Sequence, residues 1–123
     1  MSALKIYTYA NCDTCRRAIK WLRSQAVVFE ERPIRETPPT LAELRRMLAA
    51  YDGEIRRLFN TSGRDYREQA LGGKLPTMTP TDALTLLAAN GNLVKRPFLL
   101  GDRVARVGFD ESDWSKTIGT KGI

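Results

Sequence analysis

Two cysteines separated by two residues are the feature of this 123-residue sequence with the clearest chemistry. Cys12 and Cys15 are the whole cysteine content of the chain. They follow an apolar run, residues 4–9, that predicts a strand, and they precede residues 16–22, which predict a helix. A thiol at a helix start meets unpaired backbone N–H groups and the positive end of the helix dipole, and both favour the thiolate. Because the thiolate is the nucleophile of thiol–disulfide exchange, this arrangement predicts a redox site.

Other interpretations of the cysteine pair have less support. A zinc site usually takes four ligands, and the sequence has no further cysteine and no histidine, so we expect no metal. A purely structural disulfide would not need to stand where a strand meets a helix. Cysteine also packs as a small hydrophobic residue without chemistry, and this alternative stays open, above all for Cys15.

Length and composition suit one domain over residues 1–123, with 42% hydrophobic and 28% charged residues. No apolar segment approaches the length of a membrane span, so we expect no membrane association. The first residues lack the basic and then apolar pattern of a signal peptide. We therefore expect a cytoplasmic protein, and in that compartment a cysteine pair is more often catalytic or sensing than structural.

The net charge of +6 is compatible with nucleic acid, an anionic substrate or an acidic protein partner. The basic residues do not form one run. Four of them, Arg45, Arg46, Arg56 and Arg57, are interspersed along predicted helical segments with apolar residues between the pairs, which is typical of solvated helix faces. The sequence has no basic tail, zinc finger or aromatic RNA-binding motif, so we expect no direct binding to nucleic acid.

The predicted order of elements is strand, helix, strand, then a helical middle, then strand, strand, helix. Strands at 4–9 and 27–31 flank a helix at 13–24, and such a unit implies parallel strands with a right-handed crossover. The helical insertion covers about 38–92. Strands at 97–100 and 104–109 flank a hairpin turn, and a last helix begins after Asp110. This is an α/β, thioredoxin-like order (βαβ, helical insertion, ββα) with a central mixed four-stranded sheet.

Local signals place the helices of the insertion. Thr40 and Glu43 form a capping box that opens a helix ending near 52–53. A short helix is predicted at 54–59 and another at 66–71, the latter broken by the glycines at 72–73. The last helix of the insertion begins after Thr79 and ends at 90–91, where an Asn-Gly pair predicts a C-cap.

Four segments together resemble the arsenate reductase family that couples to glutaredoxin, which also includes the Spx-type regulators. The first is the cysteine segment from Tyr7 to Ala18. The others are the central loop at 58–63, the Lys-Arg-Pro-Phe segment at 95–98 and the strand-to-helix turn at 107–110. They occur in the family's order and span nearly the whole chain. The resemblance implies the thioredoxin-like fold with a helical insertion.

The resemblance also implies roles for particular residues. It makes Cys12 the nucleophile and places a cis Pro97 opposite it. In arsenate reductases of this kind three arginines hold the oxyanion, and Arg96 matches one of them by its place before Pro97. Asn60 stands where another arginine belongs, and Arg106 lies near the third. The expected catalytic residues are therefore Cys12, Cys15 and Arg96. The expected substrate-binding residues are Asn11, Arg16, Asn60, Pro97 and Arg106.

Two departures from the reductase pattern qualify the expected activity. Asn60 carries no charge, and a doubly charged oxyanion is best held by several fixed cationic donors. Cys15 is absent from the reductases at this spacing, whereas Spx-type redox-sensing regulators carry a Cys-x-x-Cys pair. Those regulators bind RNA polymerase and have a longer basic C-terminal segment than the short tail at 119–123. The combination indicates a small reductase-like member of the family.

The sequence thus predicts an arsenate reductase-like thiol oxidoreductase. Cys12 would attack an oxyanion or a mixed disulfide, and Cys15 or glutathione would resolve the intermediate. Glutathione, glutaredoxin or thioredoxin are the expected redox partners, with glutathione as co-substrate and no tightly bound cofactor. The alternative is a redox-switched regulator that binds RNA polymerase and has no turnover.

Overall fold

The computed structural model describes residues 4–118, and the predicted tail at 119–123 lies outside this range. The chain forms four strands, six α-helices and three short 3-10 helices within the described part. In chain order they are β1 Leu4–Thr8, α1 Asp13–Ser24, β2 Phe29–Pro33, α2 Leu41–Ala50, 3-10 Ile55–Leu58, α3 Arg64–Glu68, α4 Leu71–Lys74, 3-10 Leu75–Thr77, α5 Pro80–Ala89, 3-10 Gly91–Leu93, β3 Phe98–Leu100, β4 Ala105–Val107 and α6 Glu111–Ile118.

The four strands form one mixed sheet in the order β2-β1-β3-β4. β1 and β2 are parallel, while β3 is antiparallel to both of its neighbours. This confirms the predicted α/β class and the mixed four-stranded sheet. The arrangement brings the end of β1, which leads into the cysteine loop, next to the start of β3, which follows Pro97.

Alternate residues of the strands pack into two hydrophobic clusters, as the period of a strand requires. On β1, Ile6 belongs to the cluster that includes Trp21 and Trp114 of α1 and α6, whereas Tyr7 belongs to the cluster formed with the helices of the insertion. The sheet therefore separates two cores. α1, which carries Cys15, is held against the sheet by its buried face of Ala18, Ile19, Trp21 and Leu22.

The prediction for β2 was wrong by two residues, because the strand runs from Phe29 to Pro33 rather than over 27–31. Pairing with β1 begins at Leu4 with Phe29, and it is this long-range pairing that sets the register. Val28 lies before the strand with 73% of its surface exposed. Pro33 is tolerated as a strand residue because β2 is an edge strand, where a missing N–H need not leave a partner unpaired.

The middle of the chain is helical as predicted, with differences in detail. The helix expected at 66–71 is two helices, which meet at Ala70 in a left-handed conformation (φ 53°). The glycines at 72–73 lie inside α4 instead of ending a helix. Burial of Leu71 and Leu75 on either side of them outweighs the cost of about 1 kcal/mol that glycine carries in a helix. The segment predicted as a helix at 54–59 is a 3-10 helix.

α5 ends at Ala89 with Asn90 as its C-cap residue, as the Asn-Gly pair predicted, but Asn90 is extended (φ −146°) and not left-handed. The side chain of Asn90 accepts a hydrogen bond from the N–H of Asn92 and so caps the following 3-10 helix. Gly91 is required for a different reason, since a Cβ there would lie 1.8 Å from the carbonyl oxygen of Ile34. The glycine thus allows the insertion to approach the loop after β2. Within residues 4–118, no helix has the length and apolar character needed to cross a membrane.

Candidate functional site

Cys12 is the N-cap residue of α1, in an extended conformation (φ −104°, ψ 112°). Its Sγ accepts a hydrogen bond from the backbone N–H of Cys15 at 3.2 Å. Its own N–H donates to the carbonyl oxygen of Tyr9 at 3.0 Å, which closes the loop between β1 and the helix. The sulfur is half-buried and lies at the positive end of the helix, where negative charge is stabilised.

Cys15 lies one turn into α1 and is 1% exposed. Burial and the hydrogen-bonding interaction with the Cys12 thiol raise its pKa from 9.0 to about 12. A backbone group of Tyr9 and the positive charge of Arg96 act in the opposite direction, with smaller effects. Both cysteines are free thiols. The two sulfurs therefore differ in exposure although they belong to one turn of helix.

The peptide bond between Arg96 and Pro97 is cis, which confirms the isomer that the family resemblance implies. Pro97 is buried, and its carbonyl oxygen accepts a hydrogen bond from Gly108 N–H at 2.9 Å. The guanidinium carbon of Arg96 lies 5.1 Å from the centre of the Tyr9 ring. The Nη1 atom of Arg96 is buried and has no hydrogen-bond partner among the described residues. The positive charge of Arg96 slightly lowers the pKa of Cys15, against the larger effect of burial.

Arg106 lies in a wide cleft of about 730 Å³ that Arg96 also lines. Its Nε donates to Asp113 Oδ2 at 2.8 Å, and its Nη1 donates to the Ala105 carbonyl oxygen at 2.9 Å. The charge of Arg106 is therefore already partly neutralised by an ion pair within the fold. Three further basic residues line the same cleft and were not predicted as site residues, namely Arg17, Arg57 and Lys95.

Arg16 and Asn11 lie near Cys12 in sequence but do not point to a shared site. The Nη1 of Arg16 donates to the carbonyl oxygen of Ala10 at 2.6 Å, and its Nη2 lies 3.7 Å from Asp13. Arg16 lines a groove of about 420 Å³ on the Cys15 side of α1. Asn11 is exposed in the turn before Cys12, and its side chain makes no hydrogen bond within residues 4–118.

Asn60 does not line the wide cleft but shares a second, smaller cavity with Arg96. Both residues line a cavity of about 280 Å³, together with Tyr9. Two hydrogen bonds fix the backbone of Asn60. Its N–H donates to the Leu93 carbonyl oxygen at 2.7 Å, and its carbonyl oxygen accepts from the Gly63 N–H at 3.0 Å. The predicted site residues therefore divide among neighbouring cavities, with Arg96 shared by two of them.

Tyr9 and Arg35 are two residues of this region that the sequence analysis missed. Arg35 Nη1 donates to the Tyr9 hydroxyl at 3.0 Å, and its guanidinium carbon lies 5.0 Å from the ring centre. Tyr9 thus contacts both Arg35 and Arg96. The position of Tyr9 three residues before Cys12 was the available signal, whereas Arg35 is brought here only by the parallel pairing of β2 with β1.

No group of three or more His, Cys, Asp or Glu side chains within 4–118 is arranged to hold a metal ion. The donors gathered at the site are guanidinium, hydroxyl, amide and thiol groups. Such a set suits anions and thiol chemistry.

Comparison with known proteins shows which family the sequence and the fold resemble. The model of the ArsC family matches residues 7–117. The uncharacterized protein YusI of Bacillus subtilis is 38% identical over 114 residues, which cover 93% of this chain and 97% of YusI. The global transcriptional regulator Spx of Enterococcus faecalis is 29% identical over 110 residues, which cover 89% of this chain and 82% of Spx. The crystal structure of a possible arsenate reductase from Streptococcus mutans superposes with a TM-score of 0.85 at 33% identity, covering 94% of this chain and 99% of that chain.

Proposed function

The chain belongs to the ArsC family, and we propose that it is a thiol-dependent oxidoreductase in which Cys12 is the nucleophile and Cys15 the resolving thiol. The observation that supports this most directly is the position of Cys12 at the start of α1 with the Cys15 N–H on its sulfur. A thiolate that accepts a backbone N–H bond at a helix N-terminus is stabilised relative to the thiol.

The proposed reaction with a disulfide has two steps. The Cys12 thiolate attacks one sulfur of the substrate, a new S–S bond forms, and the other sulfur leaves as a thiolate that takes up a proton. Cys15 then loses its proton and attacks the Cys12 sulfur, which releases the second thiol and leaves a Cys12–Cys15 disulfide. Two electrons pass from the protein to the substrate. Two molecules of glutathione, or a glutaredoxin or thioredoxin dithiol, then reduce the protein disulfide.

With an oxyanion such as arsenate, the same nucleophile would attack the central atom with loss of water. Attack on the Cys12 sulfur by Cys15 or glutathione would then break the bond to arsenic and release the reduced arsenite. In this proposal Arg96 holds the oxyanion, and its position in the lining of both the wide cleft and the smaller cavity supports that role. The direct partners proposed are therefore glutathione or a glutaredoxin- or thioredoxin-type protein, in a reducing compartment such as the cytoplasm.

The test is turnover of the purified protein with a glutathione mixed disulfide and with arsenate, each in glutathione-containing buffer. We expect disulfide exchange that is lost in Cys12→Ser and slowed in Cys15→Ser. Exchange at the wild-type rate in Cys12→Ser would contradict the assignment of the nucleophile. An exposed-residue variant such as Arg45→Gln on α2 controls for unspecific effects of substitution.

A second candidate is a redox-sensing regulator that binds RNA polymerase. The similarity to Spx over 82% of that regulator favours it. In that case oxidation of the cysteine pair would change a binding surface, and the protein would not turn over a substrate. Capture of purified RNA polymerase subunits by the oxidised and the reduced protein distinguishes the two functions, because only the regulator should bind in a redox-dependent manner.

A further inference from the structure

The cavity of about 280 Å³ beside Tyr9 has an excess of positive charge. Three guanidinium groups line it, those of Arg35, Arg64 and Arg96. None of the three forms an ion pair with another residue within 4–118. One carboxylate, that of Asp65, also lines the cavity, and its Oδ2 accepts hydrogen bonds from the amides of Asn90 and Asn92 at 3.0 and 3.4 Å. The charge of the arginines is thus not neutralised by the fold.

Two of the three guanidinium groups, those of Arg35 and Arg96, are positioned by contacts with Tyr9. Tyr9 lies about 5 Å from the guanidinium carbons of both Arg35 and Arg96, and its hydroxyl accepts the hydrogen bond from Arg35. Arg96 is half-buried, and its Nη1 is buried with no acceptor among the described residues. A buried N–H donor without an acceptor is costly, so an oxygen atom supplied by a ligand would be stabilising here.

Of the five cations that line the wide cleft, three are paired with carboxylates, namely Arg17 with Asp13, Arg57 with Glu54 and Arg106 with Asp113. In the wide cleft, Arg106 is engaged by Asp113 at 2.8 Å, and Asp110 and Asp113 both line the cleft. In the smaller cavity Asn60 is neutral, but Arg35 and Arg64 bring two further unpaired cations to it.

We propose that this cavity binds a small oxyanion group, namely a carboxylate carried by the disulfide substrate of Cys12, and that Arg35 and Arg64 determine this specificity. The inference rests on the proposed thiol chemistry. Tyr9, which lines the cavity, is joined to the loop of the nucleophile, because its carbonyl oxygen accepts the backbone N–H of Cys12 at 3.0 Å. A carboxylate matches the planar fork of a guanidinium group. A free inorganic oxyanion shares this chemistry, and the experiment separates the two sources.

The kinetic arm compares two small disulfides, dithiodipropionate with a carboxylate at each end and the neutral bis(hydroxyethyl) disulfide. The measured quantity is the ratio of their rate constants with the reduced protein, divided by the same ratio with free glutathione. We expect the normalised ratio of dithiodipropionate to bis(hydroxyethyl) disulfide to exceed one in the wild type. It should fall about tenfold in Arg64→Gln and in Arg35→Gln, the usual effect of losing one charged hydrogen bond. In Arg45→Gln, which removes an exposed charge on α2, the ratio should stay at the wild-type value. Unchanged ratios in both cavity variants would overturn the proposal.

The binding arm does not depend on turnover. Calorimetric titration of Cys12→Ser with dithiodipropionate and with inorganic phosphate measures the cavity alone, and Cys12→Ser/Arg64→Gln is the comparison. Binding of dithiodipropionate that weakens in the double variant supports the proposal. Binding of phosphate alone overturns the carboxylate assignment in favour of a free oxyanion, and binding of neither overturns the cavity as an anion site. If the wild-type protein reacts with neither disulfide but this binding is found, the proposed function fails and the cavity assignment stands.

Discussion

The backbone N–H of Cys15 donates a hydrogen bond to the sulfur of Cys12 at 3.2 Å. The bond ties the half-exposed sulfur to the first turn of α1, while the side chain of Cys15 itself is buried beneath it. The two thiols of the pair are therefore not equivalent. Cys12 is half-buried and accepts an N–H at the start of the helix, whereas Cys15 is buried and its pKa is raised by that burial.

This difference predicts selective alkylation of the folded, reduced protein. At about pH 8 iodoacetamide should modify Cys12 at least ~100-fold faster than Cys15, because burial raises the pKa of Cys15 to about 12 and restricts access. Peptide mass spectrometry over a time course measures both rates. Cys12→Ser should leave only the slow reaction, and unfolding in denaturant should make both cysteines reactive. Equal rates in the folded protein would contradict the assigned roles.

Mild oxidation should form a reversible disulfide between Cys12 and Cys15. Their spacing within one turn of helix permits the bond, and the proposed mechanism requires it. Intact-mass measurement should show the loss of two hydrogens and their return with reductant. With oxidised glutathione as the oxidant, Cys15→Ser should instead accumulate a Cys12–glutathione mixed disulfide and release one glutathione. A Cys12 sulfinate formed while Cys15 remains a thiol would mean that Cys15 does not resolve the intermediate.

The stability of the fold should fall in alkaline solution because of Cys15. Between pH 9.0, the ordinary pKa of the thiol, and about 12, its pKa in the fold, the unfolded chain releases this proton and the folded chain keeps it. The unfolded state then binds fewer protons, so the free energy of unfolding decreases as the pH rises. Tyr7 acts in the same direction, since burial and its hydrogen bond to Glu43 raise the pKa of its hydroxyl.

Urea unfolding at pH 8 and pH 11 measures this effect. The wild type should lose about 2 kcal/mol more than Cys15→Ala over this interval, as expected for one group with a raised pKa. Tyr7→Phe should also reduce the loss. The same pH dependence in wild type and Cys15→Ala would show that this thiol ionises equally in both states.

Sequence patterns predicted those parts of the fold that neighbouring residues determine. α1 begins and ends where expected, with Cys12 as its N-cap. The Thr40 hydroxyl accepts from Glu43 N–H at 3.2 Å and the Glu43 carboxylate accepts from Thr40 N–H at 3.0 Å, which is the predicted capping box. Asp110 likewise accepts from Asp113 N–H at the start of α6. In each case the interacting groups lie within four residues of each other.

The features that were missed depend on contacts between distant segments. The bounds of β2 follow from its register with β1. The two glycines of α4 are helical because burial of Leu71 stabilises that turn of helix. At the site, the cysteine spacing was informative, and the resemblance supplied the cis Pro97. The contact of Tyr9 with Arg35 joins residues 26 positions apart, and no local pattern predicts it.

Glu43 should contribute to stability through more than its capping bond. Its carboxylate accepts from Lys5 Nζ at 2.8 Å and from the Tyr7 hydroxyl at 2.7 Å, which connects α2 to β1. Burial opposes ionisation of this carboxyl, but the hydrogen bonds from Lys5, Thr40 and Tyr7 outweigh burial and lower its pKa below 4.5. The stabilisation is therefore present at neutral pH and lost as the pH falls below 4.5.

Glu43→Gln should reduce the free energy of unfolding at pH 7 by about 1–3 kcal/mol, the cost of losing hydrogen bonds to a charged group. The difference from wild type should shrink in acid, which urea unfolding across the pH range would show. Glu54→Gln is the matched control, because Glu54 is exposed and its ion pair with Arg57 is long, at 3.7 Å, and therefore weak. An equal effect of both substitutions would show that the contacts to Lys5 and Tyr7 contribute little.

Arsenate should be a poorer substrate than a disulfide. Of the three arginines that the family resemblance implies, Asn60 replaces one, and Arg106 is held in an ion pair by Asp113. Arg96 is left as the one guanidinium of that set without an ionic partner among residues 4–118. A doubly charged oxyanion is bound best by several fixed cationic donors, so its affinity should be low. Steady-state assays with both substrates measure the difference.

Restoring the charge should then improve arsenate turnover. Asn60→Arg places a guanidinium group in the cavity that Arg96 lines and should raise kcat/KM for arsenate about tenfold, the usual effect of one added charged hydrogen bond. Thr61→Arg adds the same charge one residue away, at an exposed position that lines a different cavity, and should have little effect. Saturable wild-type turnover with a Michaelis constant near the low end of the usual range, about 1 μM, would mean that Asn60 and the engaged Arg106 do not limit oxyanion binding.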